Sequence, residues 1–332
     1  MAYKKTVLEN GMRVITIPMK DNPTATVMVL VETGSKYEKK DINGVSHFLE
    51  HMCFKGTQKR PTAFDITKEL DGLGAQSNAF TGHEVTGFYA KAHKKQVVKM
   101  LDIIADIYCH ATFSAEEMEK EKGVIIDELN MIEDTPMRNV HSVFMEAMYG
   151  DQPVGWDIGG TKDTVMNMTR DEIVAYHAKQ YVADATTVVV AGGGFETRTL
   201  LRDIKKRFAE VVERKKGVKK KTRISRNTNN ISVRYKETDQ THIMLGFHTT
   251  HMYHKDIPAL EVLAGILGKG MSSRLFHKIR DEQGIGYYVH AHHEEYTDHG
   301  HFVIATGVNT QNVNEVISLI LAECQKIVQE GV

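Results

Sequence analysis

The sequence predicts an α+β fold: two homologous αβ domains, each a mainly antiparallel sheet covered by helices, with the second domain C-terminally truncated. Three observations carry this. Strand-like and helix-like runs interleave along the chain, one order of elements starts again after residue 230, and a polar, basic stretch without apolar periodicity separates the two passages. At 332 residues the chain also exceeds what one ordinary hydrophobic core organises.

The first passage opens on the alternating run Met12 to Ile17, followed by a strand from Thr24 to Glu32. Asn43-Gly44 then breaks the chain before a helix over 43–55, with Ser46 the expected N-cap and Phe48, Leu49 and Met52 on the packed side. A helix over 62–73 follows, then two strands from Gln76 to Ala92 that turn through Gly82-His83. Helices over 94–110, 114–133 and 138–149 come next, and a helix from Asp171 to Gln180 precedes the strand run Ala185 to Ala191.

From Arg214 the residues Lys-Lys-Gly-Val-Lys-Lys-Lys-Thr-Arg-Ile-Ser-Arg-Asn-Thr-Asn-Asn read as a linker, which divides the chain into a domain over 1–213, a linker over 214–229 and a domain over 230–332. Beyond it the pattern restarts. Lys40-Asp-Ile-Asn-Gly, after the first strands, recurs as Lys255-Asp-Ile-Pro-Ala after His242-Ile-Met-Leu-Gly-Phe-His, and a helical run, glycine-bearing turns and a hairpin pattern follow in both places. On this alignment Val332 lies near the counterpart of Glu116, so about the last half of the second copy is expected to be missing.

The chemistry is concentrated in Gly44-Val-Ser-His-Phe-Leu-Glu-His-Met-Cys-Phe54. Helical pitch puts His47, Glu50 and His51 on one face. Two imidazoles one turn apart can grip a divalent cation, and a carboxylate between them can reach a water on it. A catalytic zinc usually takes three protein ligands, so another must come from elsewhere. The candidates are Glu121 and Glu128, two turns apart on one face of the segment 116–129: one to bind the metal, the other to orient a ligand histidine or the water.

His-x-x-Glu-His is the inverzincin order. The chain resembles the pitrilysin/insulysin-family zinc metallopeptidases, and within them the processing-protease branch that includes bacterial processing proteases and the mitochondrial processing peptidase β-subunit. In that family 76 residues separate the second histidine from a distal glutamate ligand, and here 76 residues lie between His51 and Glu128. A helper glutamate seven residues before the ligand matches Glu121. The resemblance thus implies one Zn2+ per chain held by His47, His51 and Glu128, with Glu50 as general base, a zinc-bound water as nucleophile and Glu121 in support. The implied activity is hydrolysis of peptides or unfolded segments by a metalloendopeptidase. A non-catalytic subunit or scaffold of the same fold is the second reading, and a zinc hydrolase of non-peptide amides a third.

At the repeat offset, Val262, Gly265 and Ile266 stand opposite His47, Glu50 and His51, so the second copy is an inactive one without this metal site. The family carries an Arg and a Tyr seven apart in its second domain, which match Arg280 and Tyr287 here. An arginine and a phenol over a zinc-bound peptide can hold its carbonyl and stabilise the oxyanion. In a two-domain chain the resemblance places them over a partner subunit's zinc, so a homodimer with Arg280 and Tyr287 acting in trans is expected. The small, polar run Gly74 to Gly82 reads as an exposed edge strand to which a peptide substrate can add through backbone hydrogen bonds. The matching family strand binds extended substrate, which makes Asn78, Ala79 and Phe80 the expected contacts.

Composition excludes other classes. With 42 Lys and Arg against 43 Asp and Glu, a formal charge of −1 gives no global field for nucleic acid or membrane. The first residues lead straight into a strand without an apolar signal core, and no run approaches the roughly 18 apolar residues of a membrane span. Cys53, Cys109 and Cys324 are odd in number and lack paired metal spacing, which favours reduced thiols and a cytoplasmic setting. Cys53, beside the motif, reads as a small packed residue rather than a thiol ligand or sensor. His290, His292, His293, His299 and His301 alternate as exposed faces of a hairpin around Asp298-Gly300 rather than as a second metal site.

Overall fold

A computed structural model describes residues 3–224 and 231–332. By contacts the chain forms two compact units, the first made of Met1–Leu129 and Asp157–Lys220, the second of Asn130–Trp156 and Lys221–Val332.

The first unit is built on a six-stranded sheet in the order β1-β2-β6-β3-β5-β4. Its strands are β1 (Lys4–Val7), β2 (Arg13–Pro18), β3 (Thr24–Val31), β4 (Gln76–Thr81), β5 (Thr86–His93) and β6 (Thr186–Gly192). All neighbouring pairs are antiparallel except β2 with β6. In β3 the residues Ala25, Val27, Val29 and Val31 are buried and the alternate ones only partly so, the period of a strand with one face on a core. β4, at the far edge, is mostly exposed. The helices of the chain up to Leu129 and after Asp157 are α1 (Val45–Cys53), α2 (Ala63–Gly72), α3 (Val97–Cys109), α4 (Ala115–Asp134), α6 (Lys162–Asn167), α7 (Arg170–Gln180) and α8 (Thr197–Arg207), with α5 (Pro136–Tyr149) grouped in the second unit.

Helix α1 buries Val45, Phe48, Leu49, Met52 and Cys53 against this core. Full burial of a residue such as Phe48 or Leu49 contributes about 1.5–3 kcal/mol, which fixes the helix and leaves its other face for chemistry. Its start differs from the sequence expectation. Gly44, not Ser46, is the N-cap, at φ 97°, and a Cβ there would lie 2.6 Å from the Gly159 carbonyl oxygen. The orphan amides of the first turn are satisfied by the buried Glu38, whose carboxylate accepts from the Gly44 and Ser46 backbone N–H groups at 2.8 Å each. Ser46 is thereby released to meet Tyr176 of α7, hydroxyl to hydroxyl at 2.8 Å.

The second unit holds the antiparallel sheet β7-β9-β8, with β7 (Thr241–Thr249), β8 (Gly286–Glu295) and β9 (Gly300–Val308). Its helices are α5, α9 (Ile257–Gly268), α10 (Arg274–Phe276), which runs on as a π-helical stretch His277–Glu282, and α11 (Val313–Glu330). The order β7-β9-β8 mirrors β3-β5-β4, and α9 follows β7 as α1 follows β3: the internal repeat is two copies of one topology. The fold is thus the α+β arrangement the sequence predicts. One expectation is corrected: His293, His299 and His301 are buried, because both faces of the hairpin are covered, His293 lying by Glu261 of α9 and His299 and His301 against Tyr149 of α5. Of the linker, residues 214–224 carry neither helix nor strand, and 225–229 lie outside the described residues. Among the described residues no helix is long and apolar enough to cross a membrane.

Candidate metal centre

Within the first unit, α1 and α4 bring together three side chains that stand far apart in the chain. His47 Nε2 and His51 Nε2 lie 3.3 Å from each other, and Glu128 Oε2 lies 3.6 Å from both. The circumradius of that triangle is about 2.0 Å, the ordinary zinc–nitrogen and zinc–oxygen bond length. The donor set is therefore spaced for one small cation with an open position outside the triangle.

The surrounding hydrogen bonds fit the same reading. Glu121, on the buried side of α4, accepts from His51 Nδ1 at 2.8 Å and is ion-paired with Lys55. A proton on Nδ1 leaves the Nε2 lone pair of His51 facing His47 and Glu128, where a cation can accept it. Burial pushes Glu121 up, but the hydrogen bonds from His51 and Lys55 outweigh it and hold the carboxyl below its usual value. Burial, reinforced by the nearby His51, pushes His47 down, so its imidazole stays neutral and able to coordinate.

Glu50 projects from α1 beside this triangle, near enough to feel the charges of His51 and Glu128. Burial raises its pKa, against the pull of a hydrogen bond from Thr81 Oγ1. A carboxylate poised upward in this way can accept a proton and return it. Cys53 is buried behind α1 and burial pushes its thiol far up, so it is packing rather than a thiolate.

The other sequence-predicted residues fall as follows. Asn78, Ala79 and Phe80 lie on β4, which among the described residues pairs with β5 alone: Asn78 opposite Tyr89, Ala79 opposite Phe88 and Phe80 opposite Gly87. In the second unit Arg280 Nη1 donates to the Tyr287 carbonyl oxygen at 3.0 Å, and the guanidinium rests 5.2 Å from the Phe276 ring centroid. The half-exposed Tyr287 donates its hydroxyl to Asn309 Oδ1 at 3.2 Å. Sequence reasoning missed Glu38, Lys55, Thr81 and Tyr176, which hold the centre from outside it; their elements were legible, but their contacts with α1 and Glu121 are tertiary and no spacing encodes them.

Residues 13–162 match the family model "Insulinase (Peptidase family M16)", and residues 167–332 match "Peptidase M16 inactive domain". An uncharacterized zinc protease of Bacillus subtilis, YmxG, is 36% identical over 331 residues, covering 97% of this chain and 78% of that protein. The chain belongs to the insulinase family of peptidases. An uncharacterized zinc protease of Rickettsia felis is 35% identical over 298 residues, covering 90% of this chain and 71% of its own. Among solved structures, a protease from Helicobacter pylori superposes with a TM-score of 0.87 at 23% identity, over 96% of this chain and 79% of that one. The M16 inactive-domain structure from Pseudomonas fluorescens superposes with a TM-score of 0.88 at 17% identity, over 100% and 80%. These two likenesses bear on the fold. The division between an insulinase-family first half and an inactive-type second half agrees with the placement of Val262, Gly265 and Ile266 on α9, where α1 has its motif.

Proposed function

We propose that this insulinase-family chain is a zinc-dependent endopeptidase acting on peptides or unfolded segments. The observation that carries the reading is the triangle of His47, His51 and Glu128 with Glu50 beside it. Zinc bound there supplies Lewis acidity, lowering the pKa of a water and polarising the scissile carbonyl.

The chain's own residues do the rest. His47, His51 and Glu128 hold the ion, and Glu121 fixes the tautomer and orientation of His51. Glu50 takes the proton of the attacking water and passes it to the leaving amine. Substrate adds to the free edge of β4 in extended form, with Asn78, Ala79 and Phe80 as contacts, and main-chain pairing makes cleavage tolerant of sequence. Thr81 stands at the end of the same strand and touches Glu50, so a peptide on that edge is led toward the general base.

Arg280 and Tyr287 act on the oxyanion from a partner copy, in a homodimer with two composite sites. Their mutual hydrogen bond and the exposure of Tyr287 support a preformed pair that presents a phenol outward. The odd number of cysteines supports a reducing, cytoplasmic compartment. The experiment that tests the reading is cleavage of an unstructured quenched-fluorescence peptide, before and after zinc is stripped and restored. Cleavage that follows zinc supports it; cleavage indifferent to the metal contradicts it.

A further inference from the structure

The second unit has no counterpart of the motif histidines on α9, yet among its buried imidazoles is one with two carboxylates facing it that the proposed peptidase chemistry does not use. His293 lies on β8, 6% exposed. Its Nε2 meets Thr249 Oγ1 of β7 at 2.8 Å, across the central strand β9. That contact is possible because β9 begins with Gly300: a Cβ there would sit 2.8 Å from Thr249 Oγ1. The other ring nitrogen, Nδ1, is buried and has no hydrogen-bond partner. A buried ring nitrogen left unsatisfied is destabilising, so it calls for an explanation.

Two carboxylates face it. Glu295 follows His293 at the two-residue period of β8 and puts Oε2 3.3 Å from Nδ1. Glu261 comes from α9, which packs on β8, and puts Oε1 at 3.9 Å. Lys269 Nζ occupies the other oxygen of Glu261 at 2.6 Å and so holds that carboxylate in place with Oε1 free. The three donor atoms lie within 4.8 Å of one another.

We propose that Glu261, His293 and Glu295 form a second metal site, which takes a divalent transition cation such as zinc. One nitrogen and two carboxylate oxygens suit zinc or manganese, with water completing the shell. Thr249 has the part of the outer hydrogen-bond partner that fixes the imidazole tautomer, with Nε2–H donated to its hydroxyl and the Nδ1 lone pair turned toward the cation. Burial keeps the ring neutral, the state a ligand needs. The site is a clamp rather than a catalytic centre: its ligands come from one helix and one strand end, so an ion there ties α9 to the β8–β9 hairpin.

The site is distinguished from the motif centre by removing the latter. The full chain carrying His47→Ala and His51→Ala, stripped and titrated with Zn2+ and separately with Co2+ or Mn2+, is expected to bind one equivalent and to rise in melting temperature as it does so. Glu295→Gln and Glu261→Gln, each added to that background, should weaken this binding at least tenfold while leaving the metal-free circular dichroism spectrum unchanged. In the otherwise native chain Glu295→Gln should leave peptide cleavage as it is. Absence of any stoichiometric binding in the His47→Ala, His51→Ala protein overturns the proposal, as does binding that both glutamine substitutions leave untouched. A His293 ring that titrates as an imidazolium between the two carboxylates, indifferent to added metal, overturns it as well.

Discussion

Thr81 Oγ1 donates a hydrogen bond to Glu50 Oε2, joining the last residue of the sheet's outermost strand to the acid of the motif helix. The bond favours the carboxylate form and opposes the effect of burial, so it limits how far the Glu50 pKa rises. Thr81→Val removes it. Because a general base works only when deprotonated, the acid limb of kcat/KM should move to higher pH. A pH–rate profile of the variant checks this, and an unmoved acid limb would separate Thr81 from Glu50 function.

Glu121 touches the metal triangle only through His51. Glu121→Gln keeps the shape but loses the charge, and zinc affinity should fall about 10–100-fold, with a smaller fall in activity once zinc is saturating. Glu128→Gln removes a ligand and should lose more affinity than Glu121→Gln. Competition with a chromogenic chelator measures both. The reverse ranking would exchange the roles of the two glutamates.

Action of Tyr287 in trans makes a sharp prediction. Tyr287→Phe and Glu50→Gln proteins should each be poorly active alone, since each lacks a part of every composite site. Mixed and allowed to exchange subunits, they form heterodimers with one site that has both a native Glu50 and a native Tyr287. Cleavage should therefore reappear on mixing. No recovery, with subunit exchange verified by mass spectrometry, would mean that Tyr287 does not serve a partner's site.

His177 on α7 is a half-buried histidine outside the site, its ring pushed down to about 4 by the burial of its imidazole. An unfolded chain takes up the proton near pH 6.5 while the folded one does not until about 4. Stability should thus be intact above pH 6.5 and decline as pH falls toward 4, by up to about 3 kcal/mol from this group. Urea unfolding at pH 7 and at pH 4.5 should show the loss, and His177→Phe, if folded, should reduce it.

Much of this was legible in the sequence because the informative residues are periodic or paired. The motif helix, the strand run Thr24 to Glu32 and the hairpin from Gln76 announce themselves through alternation and helical spacing, and the structure places them at Val45–Cys53, Thr24–Val31 and Gln76–His93. The two-copy topology followed from the repeat of Lys40-Asp-Ile in Lys255-Asp-Ile. What escaped is what no local pattern encodes. Glu38 caps α1 from outside the helix and Gly44 takes the N-cap position expected of Ser46. The exposed character expected of His293, His299 and His301 does not hold because hairpin alternation shows that two faces differ, not that α9 and α5 cover both of them. β1, α6 and α8 are short or highly polar elements whose order comes from tertiary contacts.

Glu50 acting beside a bound zinc is the centre of the proposed reaction. Its most direct test measures metal content and cleavage of an unstructured quenched peptide on the same samples of native and Glu50→Gln protein. The expected result is equal zinc in both, with cleavage at least about 100-fold slower in Glu50→Gln. Cleavage by Glu50→Gln at the native rate, or a zinc-loaded native protein that hydrolyses no peptide in a broad panel, would contradict it.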